Sequence, residues 1–255
     1  MTLTLDIGNS DVVFGLYTTD HWQHVWRTPS RPMQPAAFYQ QKLRFWLLEA
    51  SLTLSQITQA TISSVVPALT ATVAEAVGEL FGLTPVVVTP SVYDRLPVVV
   101  LRPQEIGTDL VANAVAAHTH YQQACVIVDF GTALTFTTVG ADGKILGVAI
   151  APGLKTAIRS LFANTAQLPE VPIELPASAL GQNTVHAIQA GVVMGYEGLV
   201  RSMIQRIRAE LGGTCLAVAT GGLSKAIPSL QDEFTEVIPS LTLDGIRLIG
   251  EYARR

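Results

Sequence analysis

The chain has 255 residues, of which 49% are hydrophobic and only 14% charged, and its formal net charge is -4. Sixteen basic against twenty acidic residues, with no Lys/Arg-rich run, exclude the electrostatic footprint of a nucleic-acid or anionic-membrane binder. A mean hydropathy of +0.37 leaves little polar surface for a monomer, so a buried homo-oligomeric contact is expected, with a dimer as the default. The apolar stretches are broken too often to span a bilayer, since even residues 187–200 carry Gln189, Tyr196 and Glu197. The opening MTLTLDIGNS has no basic region before an apolar core, so a cytoplasmic protein is expected. Cys125 and Cys215 lie in short apolar runs that read as buried strands, and the five histidines have no metal-ligand spacing.

Alternating and β-branched runs at 2–6, 12–17 and 24–28 predict a three-strand meander. A helix over 35–50, a strand over 58–63, a helix opened by Pro67 and a short strand over 85–89 follow. From Gly107 the pattern begins again, with a helix over 108–121, strands over 124–129, 134–139 and 144–151, then helices and a strand over 214–219. The two strand sets open alike. LTLDIGNSDVVFGL lies beside VIVDFGTALTFTTV without a gap, matching Asp6 to Asp129, Gly8 to Gly131 and Asn9 to Thr132. One Asp-x-Gly turn is an ordinary hairpin feature. Two, each opening a meander, predict an internal duplication with a cleft between the halves.

These turns suit phosphate. Glycine lets main-chain N–H groups approach an anion, Asn9, Ser10 and Thr132 add neutral donors, and the strand-end aspartate can hold a cation that offsets the phosphate charge. Neither GxxxxGK[ST] nor a GxGxxG between strand and helix is present. Asp109 falls in the first turn of a predicted helix behind Gly107 and Thr108, where the macrodipole favours an ionised carboxylate, although a first-turn aspartate is also an everyday capping feature.

DIGNSDVVFGLY (6–17), SSVVP (63–67), EIGTDLVANAVAA (105–117), VDFGTALTF (128–136), GVAIAPGL (147–154), GQNTVHAIQAGVVMGYEGLV (181–200), ATGGL (219–223) and LTLDGIRLI (241–249) stand in the order of the motifs of type III pantothenate kinases, which this chain resembles. The resemblance implies an α/β fold of two duplicated actin-like (ribonuclease H-like) domains, with mixed sheets flanked by helices and ATP in the cleft; the division expected is 1–105 and 106–255. It implies ATP-dependent phosphorylation of pantothenate to 4'-phosphopantothenate, the first step toward coenzyme A. Asp6, Ile7, Gly8, Asn9, Ser10, Asp11, Val12 and Val13 would form the first phosphate loop, with Asp6 toward magnesium directly or through water. Thr132 would belong to the second loop and Asp129 would sit at a monovalent cation, K+ or NH4+. Val100, Gly107, Thr108, Asp109, Leu110 and Thr184 would line the pantothenate pocket, Asp109 would be the catalytic base, and Gly221 and Gly222 would form the adenine-side turn.

The chain departs from the family where GADR is usual and it reads Gly107-Thr108-Asp109-Leu110, and where a tyrosine is usual and it has Val100. Asp11 replaces a common Asn. Both pocket departures keep a non-catalytic ATP-binding regulator open as an alternative, and a polyphosphate-cleaving hydrolase is a third, disfavoured by the scarcity of Lys and Arg around the turns. Gly191, Gly195 and Gly198 place small residues on one side of a long helix expected from near Asn183, which means close packing and, by the resemblance, a dimer contact.

Overall fold

The first strand is apolar on one side and hydroxyl-bearing on the other, yet Leu3, Thr4 and Leu5 are all buried, so β1 (Thr2–Ile7) is covered on both faces. The computed structural model describes residues 1–255. β1 pairs antiparallel with β2 (Asp11–Tyr17), which pairs with β3 (Trp22–Pro29), giving the expected meander. After α1 (Ala36–Glu49) the chain returns as β4 (Gln59–Ser64), parallel to β1. Pro67 opens α2 (Pro67–Phe81), and Gly82 closes it in the left-handed region at φ 65°. β5 (Val86–Val87) completes a five-stranded sheet of order β3-β2-β1-β4-β5. Leu43, Leu47, Val73 and Val77 of the two helices pack on Phe14 and Ile62 of the sheet. Trp46 stacks on Trp26 at 5.5 Å and meets the edge of Phe14 at 5.3 Å. α3 (Thr108–Tyr121) buries Val111, Ala112, Ala114 and Val115 completely.

The second strand set repeats the first. β6 (Cys125–Phe130), β7 (Ala133–Val139) and β8 (Ile145–Pro152) form the meander; α4 (Leu154–Ala163), α5 (Thr184–Gln189) and α6 (Gly195–Glu210) follow, then β9 (Leu216–Thr220) and β10 (Glu236–Val237). The order β10-β9-β6-β7-β8 again sets the first strand of the set between its second and fourth, with β9 parallel to β6. The duplication read from the sequence is therefore a duplication of sheet topology. The gapless alignment is not exact, however. Asp6 faces Val13, whereas Asp129 faces Thr135, so the second hairpin is one residue shorter and its returning strand slips by one. The long helix expected from near Asn183 is broken by a π-helical segment, Ala190–Met194, between α5 and α6.

α7 (Leu241–Ala253) ends the chain and packs with the first strand set. Trp22 donates to Asp244 at 2.8 Å, Thr242 to the buried Asn113 at 2.8 Å, Arg95 to the Ala253 carbonyl at 2.6 Å, and Arg254 to the Ala60 carbonyl at 2.8 Å. The compact units are accordingly 1–116 with 242–255, and 117–241. They differ from the 1–105 and 106–255 division in two places: residues 106–116, with most of α3, and residues 242–255, with α7 from its second residue on, belong to the first unit.

Gly245 is what lets α7 approach α3, since a Cβ there would stand 1.9 Å from the Ala112 carbonyl oxygen. Gly245→Val should therefore destabilise by about 1–3 kcal/mol through overpacking. Thermal unfolding checks it, with an expected fall of roughly 2–4 °C per kcal/mol.

Candidate active site

The first turn, residues 8–10, joins β1 to β2 and is held from below. Gly8 N donates to the Asp11 carbonyl at 2.9 Å, the buried Ser30 donates its hydroxyl to the Gly8 carbonyl at 2.6 Å, and Ser30 N donates to the Ser10 carbonyl at 2.9 Å. Asn9 and Ser10 are left exposed at the tip, while the side chains of Ile7 and Val12 are fully buried and leave only backbone to offer a ligand. Val13 and Asp11 are half-buried. Ser30 was not singled out from the sequence, because nothing local marks a serine one strand away as the clamp of a turn.

The β1–β4 register places Ser63 directly beside Asp6 on the same face. Thr108 bridges from there to α3: its hydroxyl lies 2.8 Å from Ser63 Oγ and donates to the Ser64 carbonyl at 3.2 Å. The next residue is Asp109. Asp6, Ser63 and Thr108 thus stand together at the carboxyl ends of β1 and β4, where open α/β sheets bind ligands, and Asp109 follows Thr108 in the chain. Ser64 Oγ accepts from Val66 N at 3.1 Å and from Thr70 Oγ1 at 2.8 Å, which folds the SSVVP segment into the start of α2.

Asp109 Oδ1 accepts from Leu110 N at 2.9 Å. Burial pushes its carboxyl above the usual carboxylate range, with the backbone N–H groups of Leu110 and of Asp109 itself pulling the other way. The expectation that a first helical turn would favour the ionised form is corrected here, since desolvation outweighs the helix terminus. Gly107 lies close beside it: a Cβ there would stand 2.4 Å from Asp109 Oδ1 and turn the carboxylate aside. The Leu110 side chain is 7% exposed and packs inward, so this residue presents its N–H and not a side chain. Val100 is half-buried in the segment before α3.

In the second unit Gly131 N donates to the Ala133 carbonyl at 3.1 Å, and Thr132 is exposed. The Thr132 carbonyl accepts from Gly153 N at 3.0 Å and from Thr156 Oγ1 at 2.7 Å, so the start of α4 is pinned to the turn. Gly153 makes this possible, for a Cβ there would lie 2.2 Å from the Gly131 carbonyl oxygen. Asp129 stands in register between Thr220 on β9 and Thr135 on β7. The hydroxyls of both threonines are buried and without a hydrogen-bond partner. A carboxylate flanked by two such hydroxyls, with no nitrogen or thiol in the row, is an all-oxygen donor set that fits a hard cation. Gly221, at φ 90°, closes on this group: a Cβ there would stand 2.5 Å from Asp129 Oδ1, so its place in the structure is beside Asp129.

Thr184 opens α5, whose N-cap Asn183 accepts from His186 N at 2.9 Å. It borders an open, largely apolar hollow of about 580 Å³ with Leu161, Leu168, Asn183 and Ile188. A Cβ at Gly191, Gly195 or Gly198 would meet nothing within 4 Å, so these small residues serve no packing within the chain.

The family model of type III pantothenate kinases matches residues 2–206. The type III pantothenate kinase of Treponema pallidum (strain Nichols) is 47% identical, over 97% of this chain and 93% of its own. That of Thermomicrobium roseum is 40% identical, over 100% and 98%. Among solved structures, a Campylobacter jejuni protein assigned to the Baf family of transcriptional activators superposes with a TM-score of 0.60 at 17% identity, covering 97% of this chain and 96% of its own. The activator of 2-hydroxyisocaproyl-CoA dehydratase from Clostridium difficile, with bound ADPNP, superposes with a TM-score of 0.53 at 10% identity, covering 99% and 95%. At such identities the structural likeness concerns the fold alone. The sequence likeness runs the length of the chain and includes both Asp-x-Gly turns and the segment of Asp109, and on it this chain belongs to the type III pantothenate kinase family.

Proposed function

We propose that this chain transfers the γ-phosphoryl group of ATP to the primary hydroxyl of pantothenate, giving 4'-phosphopantothenate and ADP, the first committed chemistry toward coenzyme A. The observation that carries it is the hydroxyl bridge from Ser63, which stands beside Asp6 in the sheet, to Thr108, the chain neighbour of the half-buried Asp109. Phosphoryl transfer to an alcohol needs alignment, neutralised charge and a base for the hydroxyl proton. In this scheme the backbone of residues 7–13 with Asn9 and Ser10 holds phosphate oxygens, and Asp109 takes the proton. Gly107, Thr108 and Leu110 fix the orientation of Asp109 by close approach, by the bond to Ser63 and by an N–H. Val100 and Thr184 are assigned to the vitamin pocket, and Thr132 to the second phosphate turn.

Asp6 is the residue suited to hold Mg2+, directly or through water, and Asp129 with Thr135 and Thr220 the set suited to K+ or NH4+; bound there, such cations would offset phosphate charge. The same proposal places the enzyme in the cytoplasm as a homodimer. Exposed apolar groups on the second unit support the dimer, among them Ile150 at 69%, Phe162 at 50% and Leu146 at 45% exposure. No helix is long and apolar enough to cross a membrane.

ADP release should depend on pantothenate; ATP binding without such turnover would point to a regulator, and phosphate release from polyphosphate to a hydrolase. Asp109→Asn should abolish turnover with ATP affinity nearly unchanged, because the amide keeps the shape and cannot take the proton. It should also raise thermal stability at neutral pH. The folded carboxyl titrates above its unfolded value, so the penalty is absent below the unfolded pKa and grows as pH rises through the folded one. By the same sign, kcat/KM of the native enzyme should fall on acidification at a pH above the ordinary carboxylate range. Replacing potassium by sodium should lower turnover, and Asp129→Asn should remove both that difference and any potassium-dependent rise in melting temperature.

A further inference from the structure

The third strand of each meander ends in the same way. β3 closes at Pro29, opposite the first residue of β2, and β8 closes at Pro152, opposite the first residue of β7. The residue after each proline turns its N–H back onto the Asp-x-Gly hairpin: Ser30 N donates to the Ser10 carbonyl at 2.9 Å, and Gly153 N to the Thr132 carbonyl at 3.0 Å. A hydroxyl then adds a second bond to the same turn. Ser30 Oγ donates to the Gly8 carbonyl at 2.6 Å, and Thr156 Oγ1 to the Thr132 carbonyl at 2.7 Å. One hydroxyl stands at the strand end and the other in the first turn of α4, so the two units reach the same hold with residues that do not correspond in sequence.

A trans peptide keeps its N–H opposite its C=O. Tying the Gly8, Ser10 and Thr132 carbonyls toward the end of the third strand therefore aims the N–H groups of Asn9, Asp11 and Ala133 away from it. Glycine puts no steric bar on turning the Gly8–Asn9 peptide over, and an outward carbonyl would set the negative end of a dipole where a phosphate oxygen is to sit. Ser30 is 1% exposed, so water does not compete for its bond. We propose that Ser30 and Thr156 are positioning residues for the polyphosphate of ATP: each hydroxyl holds a turn carbonyl back, and the hairpin thereby keeps its N–H groups toward the phosphates. This deepens the kinase function proposed above and rests on it. Neither side chain touches ATP or pantothenate in this scheme, so losing the hydroxyl weakens the nucleotide and spares the vitamin.

The test measures ADP release against ATP and against pantothenate, together with the rise in melting temperature on adding ATP, for Ser30→Ala, Thr156→Val and Thr156→Ser in the full chain. Ser30→Ala and Thr156→Val should each raise KM for ATP about fivefold, the equivalent of one hydrogen bond. KM for pantothenate should stay within about twofold, and ATP should raise the melting temperature less than in the native chain. Thr156→Ser keeps the hydroxyl and should behave as native. Thr156 is exposed, so its two variants fold even where Ser30→Ala does not. A native KM for ATP in either hydroxyl-free variant removes that residue from the role. Equal rises in both KM values, or a Thr156→Ser as impaired as Thr156→Val, overturn the proposal as well. A native chain that ATP stabilises without pantothenate-dependent ADP release sinks the kinase function alone, since the loss of ATP stabilisation in Thr156→Val then still reads the hold on the turn.

Discussion

The hydroxyl contact between Ser63 and Thr108 is the joint that ties α3 to the first sheet. Strand register already puts Ser63 beside Asp6, and the bridge to Thr108 brings the first turn of α3 to the same sheet edge. Without it, Asp6 and Thr108 would share a unit but not an edge of the sheet. The second bond from Thr108, to the Ser64 carbonyl, fixes the helix along the strand direction as well. Thr108 replaces the alanine usual in the family's motif, and its hydroxyl is wholly engaged in this structural task.

Burial of Asp109 follows from that placement. Pulling the helix onto the strand ends takes the carboxylate out of water, and its pKa rises although backbone N–H groups favour the charged form. The missing guanidinium at position 110 strengthens this, because the leucine there is packed inward and contributes no charge. In the proposed scheme, a base that is dearer to ionise is also a stronger acceptor of a proton.

Much of this was legible in the sequence. Strand periodicity and the repeated Asp-x-Gly turns revealed the duplicated sheets, since both depend on contacts within some fifteen residues. Three features were not legible. The one-residue difference between the hairpins is invisible to an alignment of turns alone, as either length can carry Asp and Gly. The return of α7 to the first unit depends on Gly245 and on pairs such as Trp22 with Asp244, which lie more than two hundred residues apart. The supports at Ser30, Gly153 and Thr156 are single residues whose meaning comes only from what they meet in space. Burial likewise decided against the helix terminus at Asp109, and no local pattern states how deeply a first helical turn will be covered.

The unequal hairpins tie each turn to its own returning strand. Side chains in a strand alternate between faces, so a shift of one position inverts every residue that follows. Moving β2 into the second unit without its own turn would send Val12 and Phe14 outward and bring Asp11, Val13 and Gly15 to the core face, whereas turn and strand moved together keep the register. Each turn and its returning strand therefore form one exchangeable unit.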